Sequence, residues 1–208
     1  MRIKTSDVEI QRLEMIDAAS KVFAEKGYDG TSMLDIANVI GTTRTPLYYH
    51  FGSKDQLYLE VIQRISEIQI QKLKHIFANA ESIFDKIEFE LIDMLSENDS
   101  HISTILEDVN KHAELLPEAV RIVEQWDRSI FDIKEAFFYQ AIEKGELRAD
   151  IDTREAISVI FLFYYSMISR NGMRFVNANN LDQRKLINSF MSMFKKQYGM
   201  GNDVNVSK

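Results

Sequence analysis

Hydroxyl-bearing and basic side chains are concentrated between Gly41 and Lys54, and no acidic residue interrupts them. The hydroxyls belong to Thr42, Thr43, Thr45, Tyr48, Tyr49 and Ser53, and the basic residues are Arg44 and Lys54, with His50 between them. Short polar groups at a helix N-terminus can reach phosphate oxygens or base edges, and the helix dipole favours an anion there. Arg44 alone in this segment carries the planar fork that contacts guanine through two hydrogen bonds. These residues favour binding of nucleic acid.

Two short helices joined by a glycine turn are predicted to position these side chains. Ser32 and Asp35 form a variant of the capping box at the start of the first, and Gly41 suits its left-handed end. Thr42 and Thr43 can cap the second helix, which is expected to end near residues 51–52. This arrangement is a helix-turn-helix signal, which is weak when taken without its side chains.

Longer helices are predicted on both sides of this pair. The first runs from about residue 8 to 26 and stops at Gly27, and Ser53 with Gln56 begins a long helix that reaches about Asn79. Two prolines and eight glycines in 208 residues are too few for the turns of a sheet protein, so the fold class is all-α. Pro46 is tolerated because it lies in a first turn. Further helices are expected at roughly 81–97, 101–113, 117–144, 152–175 and 182–198.

Composition bounds the function classes. The net charge is −7 and there is no cysteine, which excludes thiolate chemistry and fits a reducing, cytoplasmic compartment. No secretory signal or membrane span is expected. The four histidines are scattered without metal-ligand spacing, and no nucleophile elbow or phosphate loop occurs. We therefore expect no enzyme, no catalytic residue, no metal and no cofactor.

A specific pattern of residue types and spacing extends over roughly residues 10–57, about a quarter of the chain. It consists of the segments 31–37, 41–43 and 47–54 with Leu57, and of Ala18, Ala19, Phe23, Gly27 and Tyr28 upstream. This pattern resembles the TetR family of bacterial transcriptional regulators. The resemblance implies an all-helical dimer with an N-terminal DNA-binding domain and a larger ligand-binding and dimerisation domain. Mapped onto this sequence, it predicts the domains 1–53 and 54–200. The polar, glycine-containing residues that follow predict a disordered tail at 201–208.

The resemblance also implies roles for individual residues. Thr43, Arg44, Thr45 and Pro46 would face the bases, whereas Thr31, Tyr48, Tyr49, His50 and Lys54 would face phosphates. Two of these positions have an alternative interpretation: Tyr48, like Phe51, as a partly buried core residue, and His50 as a residue that orders the turn. Ile40, Thr42, Thr45 and Pro46 depart from the family's usual residues, so the operator sequence cannot be taken from relatives.

The charge of the first domain sets a limit on DNA binding. Residues 1–56 contain seven basic and eight acidic side chains, so the domain has no overall basic footprint. We expect few phosphate contacts for each subunit and weak non-specific binding. Arg2 and Lys4 can add contacts from an N-terminal arm, or can be part of a solvated tail.

The second domain contains a helix that is apolar on every face. The segment 156–168 must therefore be buried all round, which one face toward its own subunit and another toward a partner would achieve. Leu186, Phe190, Met193 and Phe194 form a second stripe. We expect a homodimer through the last two helices, around 152–175 and 182–198, with an intramolecular core as the alternative.

Large aromatic side chains are also crowded into this half of the chain. They can be core residues, or they can line a pocket for a small, mainly hydrophobic effector. The candidate lining residues are Trp126, Phe138, Phe161, Tyr164 and Tyr165. The predicted function is a DNA-binding repressor released by such an effector. The alternative is a ligand-binding or scaffolding protein of the same fold without specific DNA recognition.

Overall fold

The computed structural model describes residues 5–93, 95 and 100–200, with side chains from residue 8 onward except those of residues 100 and 101. The described residues form ten α-helices, which confirms the all-α class. They are α1 (Thr5–Gly30), α2 (Met33–Ile40), α3 (Arg44–Phe51), α4 (Lys54–Asn79), α5 (Ile83–Asp93), α6 (Ser100–Lys111), α7 (Pro117–Glu143), α8 (Thr153–Ile168), α9 (Arg170–Ala178) and α10 (Gln183–Tyr198). Arg2, Lys4 and the predicted tail at 201–208 lie outside the described residues.

Capping residues fix both ends of α2 and the start of α4 as the sequence predicts. Ser32 is the N-cap of α2 and forms the full capping box with Asp35, and Gly41 ends that helix in the left-handed region, at φ 74°. Ser53 accepts a hydrogen bond from the N–H of Gln56 at 3.1 Å at the start of α4. The reciprocal half of that box does not form, because the N–H of Ser53 donates to the Phe51 carbonyl at 2.9 Å.

The capping box of α2 makes stability depend on pH. The hydrogen bond from Lys26 lowers the pKa of Asp35 most, and the bonds from Ser32 lower it further. A carboxyl whose pKa is lower in the folded state stabilises the fold above its unfolded pKa, about 3.9, and that stability is lost as the pH falls through the folded pKa. We expect Asp35→Asn to lower the melting temperature at pH 7, and the difference from the natural chain to shrink below about pH 4. A difference in thermal melts that is constant from pH 7 to pH 3 would contradict this account.

Gly27 interrupts α1 at the position where the sequence predicts its end. Its backbone adopts φ 71° and ψ 171°, a region that is essentially restricted to glycine, and residues 28–30 then add a further turn. A Cβ atom there would lie 3.1 Å from Oδ2 of Asp108 in α6. The break therefore depends both on backbone conformation and on close packing.

Substitution of Gly27 is expected to destabilise the protein. Gly27→Ala should lower the free energy of unfolding by about 1–3 kcal/mol, because it strains the backbone and crowds Asp108. Gly30→Ala is the matched control, since its Cβ would make only an ordinary 3.5 Å contact with Lys26. Urea denaturation of both variants tests the prediction, and equal stabilities would contradict it.

The predicted helix at 152–175 is wrong, because the structure divides it into α8 and α9. Ser169 lies between them in extended conformation and caps α9 by accepting a 3.0 Å hydrogen bond from the N–H of Gly172. A Cβ on Gly172 would lie 1.7 Å from the carbonyl oxygen of Ser166. The chain can turn here only because residue 172 is glycine. The other predicted helices agree with the observed ones to within a few residues.

The described chain forms two compact units, which do not follow the predicted 53/54 boundary. Of the described residues, the first unit comprises 5–70 and 100–127, and the second comprises 71–93, 95 and 128–200. The division runs through α4 and α7, because the first halves of both helices pack with α1 and α6. α6, a helix distant in sequence, thus belongs to the same unit as α2 and α3.

Each unit has its own apolar core. In the first, the rings of Phe23, Tyr28 and Tyr58 cluster with centroids 4.8 Å (Phe23–Tyr58) and 5.0 Å (Tyr28–Tyr58) apart. In the second, Phe163 of α8 stacks on Phe190 of α10 at 4.1 Å, so the two helices are neighbours. Among the described residues, no helix has the length and apolar character that crossing a bilayer requires.

Candidate nucleic-acid interface

The N-terminus of α3 leaves its cap side chain uncommitted. Thr43 is the N-cap, with extended backbone, but its side chain forms no capping hydrogen bond. An N-cap side chain normally accepts from the N–H of the second or third helical residue, and here the third residue is Pro46, which has no N–H. The hydroxyl of Thr43 and the positive end of the helix dipole can therefore both act on a bound group.

Arg44 is the exposed first residue of α3, and Thr45 beside it is also exposed. Within the described residues Arg44 forms no salt bridge. Its guanidinium is free to form paired hydrogen bonds with an external acceptor.

The other predicted contacts on α3 differ in exposure. Leu47 and Phe51 are buried four residues apart and hold the helix on the core. Tyr48 is 49% exposed and Tyr49 is 84% exposed, whereas His50 is half-buried and meets the Tyr49 ring edge-on at 5.2 Å. Tyr48 is thus mostly a surface residue.

The predicted phosphate contact at Thr31 is wrong. This residue is 3% exposed, and its hydroxyl donates to the carbonyl of Gly27 at 2.7 Å. Its N–H donates to the carbonyl of Tyr28 at 3.3 Å, so both donors are used inside the protein. The hydroxyl secures the turn between α1 and α2, and Ser32, not Thr31, is the exposed N-cap.

The side chain of Lys54 makes two contacts within the protein. Its ammonium donates to the carbonyl of Tyr28 at 2.9 Å and lies 4.0 Å from the centroid of the Tyr28 ring. An ammonium has three donors, so two remain for a phosphate. The contacts with Tyr28 fix the start of α4 against the end of α1.

Tyr28 is also bound by α6, a connection that the sequence analysis did not predict. The N–H of Tyr28 donates to Oδ2 of Asp108 at 2.6 Å, and its hydroxyl donates to Asp55 at 2.5 Å. Burial raises the pKa of Tyr28, and Asp55 raises it further. His112 packs against the same ring at 5.1 Å and contacts Asp29 at 3.0 Å. No local pattern could reveal this cluster, because Tyr28 and Asp108 are 80 residues apart.

Two acidic side chains of the first unit are bound by cations of the same unit. Asp35 pairs with Lys26 at 2.5 Å, and Asp29 pairs with Lys111 at 2.7 Å. The hydrogen bond from Lys111 lowers the pKa of Asp29 most, followed by that from His112. These pairs offset the negative charge of the two aspartates, and residues 41–54 contain no acidic side chain. The unfavourable charge of the domain is therefore not concentrated at α3.

The five predicted effector-lining residues are divided between the two compact units. Trp126 belongs to the first unit and is 7% exposed, and its Nε1 has no hydrogen-bond partner among the described residues. The other four belong to the second unit. Phe161 stacks with Tyr165 at 6.1 Å, and Tyr164 meets Tyr165 edge-on at 5.9 Å, whereas Phe138 packs on Phe194.

Residues 15–61 match a family model described as bacterial regulatory proteins, tetR family. A 60-residue segment is 35% identical to the HTH-type transcriptional repressor AcnR of Corynebacterium jeikeium, over 29% of this chain and 32% of that protein. A 50-residue segment is 44% identical to the biofilm operon icaADBC HTH-type negative transcriptional regulator IcaR of Staphylococcus aureus, over 24% of this chain and 27% of that protein. The matches thus span about a third or less of these relatives.

A solved structure extends the likeness of fold over most of the chain. The transcriptional regulator FadR from Bacillus subtilis, in complex with stearoyl-CoA, superimposes with a TM-score of 0.63 at 18% identity. The alignment covers 88% of this chain and 96% of that one.

Proposed function

We propose that this chain is a member of the tetR family of bacterial regulatory proteins through its N-terminal domain, and that it is a DNA-binding transcriptional repressor of the cytoplasm. The observation that carries the proposal is the open N-terminus of α3. It combines an exposed Arg44, which forms no salt bridge with the described residues, and an N-cap hydroxyl without a capping bond, in a segment free of acids.

The exposed side chains of α3 suit two kinds of contact with duplex DNA. The N-terminal residues Thr43, Arg44, Thr45 and Pro46 read base edges in the major groove, with Arg44 bidentate to guanine. Tyr48, Tyr49, His50 and the remaining donors of Lys54 contact phosphates, which orient the helix.

The test of this proposal is binding to DNA from the flanks of the chain's own gene, measured by fluorescence anisotropy at two salt concentrations against scrambled competitor. The few available cations predict competitor-resistant binding with a shallow dependence on salt. Absence of binding even at low salt would contradict the proposal for that DNA. It would favour the alternative, a protein of this fold that binds ligands without reading DNA.

A homodimer through α8 and α10 is part of the proposal. Leu162 of α8 is 71% exposed and Met193 of α10 is 65% exposed, which is unusual for large apolar side chains on neighbouring helices. Ser158 and Ser166, four residues to either side of Leu162, are exposed and small enough for close helix approach. A two-fold dimer places two reading helices about one turn of DNA apart, roughly 34–36 Å.

We also propose that residues 54–200 bind a small, mainly apolar effector that releases the protein from DNA. The stearoyl-CoA complex of the FadR regulator supports an effector site in this fold. Release follows when the effector binds better to a conformation in which the reading helices no longer match the operator. Within the first unit, Asp108 and His112 of α6 hold Tyr28, which in turn holds Lys54 at the start of α4.

A further inference from the structure

Glu90 of α5 and Lys134 of α7 form an ion pair inside the second unit. Nζ of Lys134 lies 2.8 Å from Oε1 of Glu90, and the two side chains are 2% and 13% exposed respectively. Removing two charges from water costs more free energy than their attraction returns, unless further hydrogen bonds satisfy the remaining donors and acceptors. A pair buried this deeply therefore needs additional partners.

The pair has hydrogen-bonding capacity that the described residues do not use. Oε2 of Glu90 is buried and has no hydrogen-bond partner in the part of the chain that the structure describes. The Lys134 ammonium directs one of its three donors to Oε1 and lies 4.7 Å from the centroid of the Phe161 ring. Oε2 of Glu90, which accepts no hydrogen bond from the described residues, thus lies beside an ammonium group that has two further N–H donors.

Partly buried aromatic rings pack against one another next to this pair. Phe161 stacks with Phe131 at 6.4 Å, with 16° between the planes, and with Tyr165 at 6.1 Å and 21°. Stacked rings present flat faces that pack well against another flat apolar molecule. A few polar groups in an otherwise apolar and aromatic lining are typical of small-molecule sites.

We propose that the Glu90–Lys134 pair is the polar anchor of the effector site, and that the effector is an uncharged, flat apolar molecule with a hydroxyl group. The hydroxyl donates to Oε2 of Glu90 and accepts from Nζ of Lys134, while the body of the molecule packs on Phe161. The pair is already neutral, so a charged effector would bury a charge without a counter-charge. The assignment depends on the proposed function only for the regulatory role of the bound molecule.

The test uses the full-length protein and four matched probes: 1-naphthol, 1-naphthoate, 1-naphthylmethylammonium and 1-methylnaphthalene. They share one ring system and differ in the polar group. Ligand binding raises the midpoint of thermal unfolding, from which affinities follow. We expect 1-naphthol to bind at least about tenfold more tightly than each of the others, since a site built to bond a hydroxyl rejects analogues that lack it.

Two variants test whether the preference for 1-naphthol depends on the Glu90–Lys134 pair. The double variant Glu90→Met with Lys134→Met removes both charges together, and such replacements usually preserve folding. It should bind 1-naphthol no better than 1-methylnaphthalene. Phe161→Leu keeps both charges, so it should weaken all four probes while the preference for 1-naphthol persists.

The outcomes separate the anchor from the proposed function. Failure of 1-naphthol to bind, equal binding of the four probes, or a preference that survives in the double variant would each overturn the anchor, even where the protein binds its operator. Operator binding is measured on the same preparations. A preference that depends on the pair, in a protein that binds no DNA, would support the anchor and overturn the repressor function.

Discussion

Leu162→Glu is expected to convert the proposed dimer into monomers and to abolish tight operator binding at micromolar protein. Leu162 is 71% exposed on α8, so the substitution leaves the core of the single chain intact. A two-fold interface contains each residue twice, so the change places two uncompensated carboxylates between the subunits. A loss of about 2 kcal/mol at each position, typical of an interface hot spot, weakens the dimer by roughly a thousandfold.

Sedimentation velocity and anisotropy with operator DNA measure the two effects on the same samples. Phe89→Glu is the matched control, because Phe89 is 53% exposed on α5, outside the proposed interface. The control should remain dimeric and bind DNA normally. A dimeric Leu162→Glu variant would show that the subunits associate through another surface.

Arg44→Ala is expected to lower affinity for the specific operator by about 1–3 kcal/mol, or roughly 5- to 150-fold. The guanidinium lies at the start of α3, exposed and without a salt bridge among the described residues. Affinity for scrambled DNA should change much less, because only one positive charge is removed. Arg44→Ala should therefore lower the ratio of specific to non-specific affinity.

Two controls separate base reading from simple charge. Lys21→Ala removes the same charge from an exposed position on α1 and should leave specificity unchanged. Arg44→Lys keeps the charge but lacks the planar fork, so it should lose specificity nearly as the alanine variant does. If Arg44→Lys retains full operator affinity, Arg44 contacts phosphate and does not read a base.

The sequence predicts the elements of the reading region well because short-range signals determine them. Ser32 with Asp35 and Gly41 act within one helix, so their types and spacing are sufficient to locate its ends. The sequence does not predict the break at Ser169, because the surrounding apolar pattern continues across it. The available signal is Gly172, two residues beyond the start of α9. Its role depends on the carbonyl of Ser166, which only the folded chain brings close to it.

Contacts between distant segments limited the prediction of the candidate site. Thr31 has the residue type of a phosphate contact, but its burial depends on how α2 packs on α1. The partial engagement of Lys54 depends on Tyr28, and Tyr28 is held in turn by Asp108 of α6. Residue type and spacing along the chain do not encode these long-range contacts.

The sequence contains one indication of the buried Glu90–Lys134 pair. Ile130, Lys134, Phe138 and Ala141 share one face of α7, on which lysine is the only charged residue among the four. A charge on an apolar face indicates a buried partner or a ligand. Its partner, Glu90, could be found only from the structure.

The most direct test of the central claim is selection of genomic DNA fragments by the purified natural protein, with Arg44→Ala selected in parallel. A dimer that reads bases through α3 should enrich fragments with a common two-fold sequence whose half-sites are about 34–36 Å, or one helical turn, apart. The variant should lose that enrichment. Fragments without a common sequence, or equal enrichment by both proteins, would contradict the claim that α3 of this chain reads DNA.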